Sequence, residues 1–109
     1  MQRRGLLRLL GAGLVLAVPV RAPKAEDVTE IKIDNFVFNP ASVTIKRGGM
    51  VRWVNHDDIP HSVLMAAAKL RSKVMDTDEH FEYRFETAGS FDYVCGLHPH
   101  MKGRLIVTA

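Results

Sequence analysis

Residues 90–101 read Ser90-Phe91-Asp92-Tyr93-Val94-Cys95-Gly96-Leu97-His98-Pro99-His100-Met101. In the first half, Phe91, Tyr93 and Cys95 share one parity against Asp92 and Val94, the two-residue period of a strand with one buried face. In the second half a thiol at 95, an imidazole at 98 and a thioether at 101 recur at three-residue intervals, where a loop can curl them round one ion. If Phe91 and Tyr93 point into a core, Cys95 does too, at the strand end where the loop begins. The stretch therefore predicts both a half-buried strand and a metal loop.

Thiolate and thioether favour Cu(I), and imidazole accepts both copper states. Two His and one Cys in a trigonal set with a weak axial Met form the donor set of a blue-copper electron-transfer site. The loop offers one dependable His, so the second comes from elsewhere. Pro60-His61, after the strand-like run Val51-Arg52-Trp53-Val54-Asn55, supplies it. The predicted donors are His61, Cys95, His98 and Met101, around one copper ion.

The same short alternation runs outward from this stretch. Ile31 and Ile33 alternate with Lys32 and Asp34, and Phe36 and Phe38 continue the pattern after Asn35. Val43 and Ile45 form another strand, Val51, Trp53 and Asn55 a third, and Ser62-Val63-Leu64 a short fourth. Residues 65–77 read as a loop with at most a short helix in Met65–Arg71. Phe81, Tyr83 and Phe85 give the cleanest alternation, and Arg104–Thr108 closes the chain. About seven short strands separated by turns mean an all-β, antiparallel Greek-key sandwich. Trp53 and Tyr93 read as core, and Tyr93 also fits a tyrosine-corner position.

Residues 1–22 stand apart. Met1–Arg8 is basic, Leu6–Val20 is apolar but broken by Gly11, Gly13 and Pro19, and Val20-Arg21-Ala22 offers small residues for cleavage. This is an export signal, with Arg3-Arg4 resembling a twin-arginine pattern, and the interrupted stretch is too short to anchor the chain in a membrane. Residues 23–27 are a polar leader, and 28–109 form one domain. Removing residues 1–22 takes four arginines from 15 basic residues and leaves 11 against 12 acidic ones. The mature chain then carries −1, with no basic cluster to recruit nucleic acid. A lone Cys in an exported, periplasmic chain has no internal disulfide partner.

Residues 28–109 resemble the cupredoxins, small blue-copper proteins, and most the amicyanin and plastocyanin branch. The resemblance rests on Gly49–Asn55 leading to Pro60-His61, on Ala88–Cys95, and on Cys95-x-x-His98-Pro99-x-Met101 followed by Lys102-Gly103. It implies His61, Cys95 and His98 in a near-plane round copper with Met101 axial. It implies that Asn55 ties the upstream ligand loop to the Cys loop and brings its backbone amide to the sulfur. It also implies a partner-facing rim of Pro60, Pro99 and His100. Amicyanin has Phe where this chain has His100, so its docking partner does not carry over.

The function expected from these residues is a periplasmic, monomeric electron carrier and not an enzyme, serving a redox donor and acceptor of dehydrogenase or cytochrome type. A copper chaperone or storage protein is the alternative. Asp57-Asp58 and Asp76-x-Asp78-Glu79 read as solvated loop charges, and His56 and His80 as exposed surface residues.

Overall fold

The computed structural model describes residues 28–109. The expected export signal and leader lie outside the described residues. Among the described residues nine strands form two sheets: β1 (Val28–Asp34), β2 (Val37–Asn39), β3 (Ser42–Lys46), β4 (Met50–Asn55), β5 (Leu64–Met65), β6 (Leu70–Arg71), β7 (His80–Arg84), β8 (Gly89–Val94) and β9 (Lys102–Thr108). The four-stranded sheet runs β2-β1-β4-β7, and the five-stranded sheet β3-β9-β8-β5-β6.

The sandwich is the one the alternation predicts, but its sheets are mixed. β1 pairs with β4 in parallel, as does β3 with β9, and every other strand pair is antiparallel. Period two reports which face is buried and is blind to neighbour direction. The stretch read as a loop with at most a short helix carries a single 3₁₀ turn, Ala66–Ala68, ended by Lys69 at φ 53°. Among the described residues no helix is long and apolar enough to cross a membrane.

Alternation places the core as read. Ile31 and Ile33 of β1, Val43 and Ile45 of β3, Val51 and Trp53 of β4 and Leu105 and Val107 of β9 all point inward. Trp53 lies at the centre, with the rings of Phe81, Phe85 and Tyr93 at 6.0, 6.3 and 5.6 Å. Each such side chain, fully buried, contributes about 1.5–3 kcal/mol from its apolar area. The strand with the cleanest alternation, β7, is an edge, so Tyr83 stays 40 % exposed.

Phe36 and Tyr93 also depart from expectation. Phe36 does not continue the core face with Phe38, because a two-residue hairpin at Asn35-Phe36 resets the parity and leaves the residue 43 % exposed. Tyr93 does not form a tyrosine corner. Its hydroxyl and the Trp53 indole Nε1 are both buried without a hydrogen bond among the described residues, and burial pushes the Tyr93 pKa up to about 12.

Tyr93 instead lies over Gly103, its cross-strand partner in β9. A Cβ at 103 would stand 2.2 Å from Tyr93 Cζ, so only glycine leaves room for the ring where it lies. Gly103→Ala should therefore lower stability by about 1–3 kcal/mol, the usual cost of overpacking, read as a lower denaturant midpoint at unchanged slope. An unaltered midpoint would mean that the ring moves aside freely.

Candidate metal centre

Three local devices build the site at one pole of the sandwich. β8 ends at Val94, and the chain curls from Cys95 to Met101 through three backbone bonds: Cys95 N–H to Met101 O (3.1 Å), His98 N–H to Cys95 O (3.3 Å) and Met101 N–H to His98 O (2.9 Å). This closed loop brings His98 back over Cys95. His61 arrives from the opposite side on an isolated bridge to Met75, with both backbone bonds made. Ser62 then joins the two: its N–H donates to Cys95 Sγ (3.4 Å), and its Oγ accepts the Gly96 N–H (3.1 Å). A Cβ on Gly96 would stand 2.6 Å from that oxygen, so glycine is required for the approach.

The result is a cluster of donors. Cys95 Sγ lies 3.6 Å from His61 Nδ1 and 3.7 Å from His98 Nδ1, and the three donor atoms lie within 4.8 Å of one another. Metal–nitrogen and metal–sulfur bonds of about 2.0 and 2.3 Å subtending about 120° would hold N and S about 3.7 Å apart. The observed spacings fit a trigonal ion of that size. Cys95 and His61 are fully buried, His98 is half-buried, and Met101, at the end of the loop, is 2 % exposed. Of the expected rim, Pro60, Pro99 and His100 are all exposed.

Asp57 corrects the reading of its carboxylate as a solvated loop charge. It is buried, and its Oδ2 lies 2.8 Å from His61 Nε2. With Nε2–H donated to this carboxylate, the lone pair of His61 is on Nδ1, the atom facing Cys95. Burial alone would raise the Asp57 pKa, but the Phe36 N–H, His61 and the Asn35 N–H outweigh it and hold it below the ordinary carboxylate value. The signal was in the sequence: Asp57-x-x-x-His61 supplies the carboxylate that a ligating His usually needs behind it.

The role expected of Asn55 is also redistributed. Asn55 is fully buried, but its Nδ2 donates to Ile59 O and Met75 O and its Oδ1 accepts the Asp57 N–H, all 2.9 Å. It shapes the 55–61 loop, its own N–H goes to Glu79 O, and among the described residues none of its hydrogen bonds is to Cys95. The amide on the sulfur and the tie to the Cys loop belong to Ser62, the residue directly after the ligand-candidate His61.

A β-sandwich with a buried Cys and two His converging at one pole defines a class, the small sandwich proteins with a Cys–His metal site. The chain belongs to the cupredoxin-like domain family, which matches residues 7–107. It is similar to amicyanin-alpha of Methylorubrum extorquens, 32% identical over 103 residues, covering 90% of this chain and 84% of that one. It is also similar to plastocyanin of Scenedesmus fuscus, 34% identical over 84 residues, covering 65% and 86%. Among solved structures, a reduced Cu(I) form of an amicyanin variant at pH 4 superposes with a TM-score of 0.70 at 26% identity, over 73% of this chain and 81% of that one.

Asp57→Asn keeps the shape and removes the charge behind His61. It should weaken metal affinity about 10–100-fold, the usual effect of removing such a partner, measured by competition with a chelator. The sign of its pH effect follows from the depressed pKa. The ionised carboxylate stabilises the fold above the unfolded-state value near 3.8, and the contribution is lost as pH falls through the lower folded value. Acid titration of the metal-free chain should therefore show a stability loss below about pH 4 that is smaller in Asp57→Asn. Identical acid profiles would contradict the assignment.

Proposed function

We propose that this chain is a one-electron carrier that holds a single copper ion between His61, Cys95, His98 and Met101. The observation that carries the reading is the approach of the Cys95 thiol to two imidazole Nδ1 atoms, at 3.6 and 3.7 Å, in a buried pole. Membership of the cupredoxin-like family and similarity to amicyanin and plastocyanin support it. When bound, copper supplies the one-electron change between Cu(II) and Cu(I).

The chain's own contribution is fixed position and exclusion of water. His61 is held at Nε2 by Asp57, Cys95 accepts the Ser62 N–H, and Met101 is tethered through both its backbone groups. Four protein donors leave no open position for a substrate, so the chain is an electron-transfer protein and not an enzyme. Of the four candidate donors His98 alone is not buried, and electrons pass by it through the exposed rim of Pro60, Pro99 and His100 to and from redox proteins of dehydrogenase or cytochrome type. Residues 1–22 act as the export signal and 23–27 as a leader, delivering residues 28–109 to the periplasm as a monomer. Burial of Cys95, His61 and Met101 disfavours the alternative, a copper chaperone or storage protein, which needs donors that an incoming ligand can reach.

Adding Cu(II) to the purified mature chain should give an intense band at about 600 nm, from thiolate-to-copper charge transfer in a trigonal site. Cys95→Ser should abolish it. A colourless complex would mean that the thiolate does not hold the metal. An intense band with rapid copper loss to a competing chelator would favour the chaperone.

A further inference from the structure

We propose that Phe36, resting on the copper-carrier reading above, is a positioning residue that closes the solvent side of both imidazoles and so helps set the potential of the metal centre. The turn that carries it is chemically unusual. Asp34 pairs with Val37, leaving Asn35 and Phe36 as a two-residue loop with φ of 55° and 61°. That is the type I′ geometry, which favours Asn first and Gly second. Asn35 fits, but a bulky Phe at the glycine position adopts the left-handed region at a cost in free energy.

What holds the turn there is the same carboxylate that holds His61. Asn35 N–H donates to Asp57 Oδ1 (2.9 Å) and Phe36 N–H to Asp57 Oδ2 (3.0 Å), the oxygen that also accepts from His61 Nε2. The turn is thereby registered to the imidazole. The Phe36 ring meets His61 and His98 at 5.5 and 5.2 Å between centroids, with an interplanar angle of 87° in both cases. One ring therefore touches both imidazoles edge-on, an arrangement favoured by the ring quadrupoles.

Core filling does not account for it. Phe36 remains 43 % exposed, whereas Phe38 two residues on is 1 % exposed and packs against Tyr93. A half-exposed aromatic in a conformation that glycine would adopt without strain is placed for what it covers. Removing the ring opens the edges of both imidazoles to water. Water stabilises the more highly charged oxidised state, so the potential should fall.

The experiment compares Phe36→Gly, Phe36→Leu and Phe36→Tyr in the mature chain, first metal-free and then copper-loaded. Glycine suits the turn, so the unfolding midpoint of Phe36→Gly should equal or exceed that of the parent. In the metal-free chain, the NMR resonances of the His61 and His98 ring protons should lose their ring-current displacement in the Gly and Leu variants and keep it in Tyr. With copper, the potential should shift downward in Gly, lie between Gly and the parent in Leu, and return to the parent value in Tyr. Unfolding of Phe36→Gly would overturn the proposal by showing that the ring serves stability. Parent-like imidazole resonances and potential in Phe36→Gly would overturn it too. A parent chain that binds no copper sinks the carrier reading instead, and is recognised separately because the metal-free resonances need no metal.

Discussion

The metal pole depends on the close approach of Ser62 to Cys95 and Gly96. His61 and Cys95 are 34 positions apart and reach the pole on different segments, so nothing local fixes their separation. Ser62 does, by giving its N–H to the sulfur and taking the Gly96 N–H on its hydroxyl. Each bond contributes only about 1 kcal/mol net. Their value is geometric, since they clamp the residue beside one donor candidate directly onto the other. Gly96 is the matching constraint, because any side chain there would push Ser62 away.

Asp57 extends the same frame outward. One carboxylate collects the imidazole of His61 and the amides of Asn35 and Phe36, so the 55–61 loop and the β1–β2 hairpin are tied through a single side chain. Asn55 holds the carboxylate's own backbone in turn, through its Oδ1. Such a frame suits an electron carrier, where rearrangement between oxidation states slows transfer. The protein contributes little chemistry of its own and a great deal of fixed geometry.

The fold was legible because period-two alternation survives almost everywhere one face is buried, as in β1, β3, β4 and β9. It failed at Phe36, where a turn without glycine gave no sign of a hairpin and the apolar pattern seemed to run on. Strand direction was invisible for a different reason, since parallel and antiparallel neighbours bury the same faces. At the metal centre, His61, Cys95 and His98 could be read because ligand chemistry demands particular side chains at particular spacings. The residues behind them were harder. Asp57 looked like any loop carboxylate, and Ser62 like any strand serine, because their roles arise only when distant segments meet. Asn55 drew the expectation that belonged to Ser62, being the polar residue at the end of the strand that leads to His61.

The central claim is that the polypeptide alone holds the donors in place before any metal arrives. Amide hydrogen exchange of Ser62, Gly96 and Met101 in the metal-free mature chain, compared with the copper-loaded chain, tests it most directly. These three amides donate to Cys95 Sγ, Ser62 Oγ and His98 O. All three should be protected in the metal-free chain at a level near that of the β8–β9 core, with copper adding little. Fast exchange in the metal-free chain, slowing only when copper binds, would contradict it and make the metal the organiser of the pole.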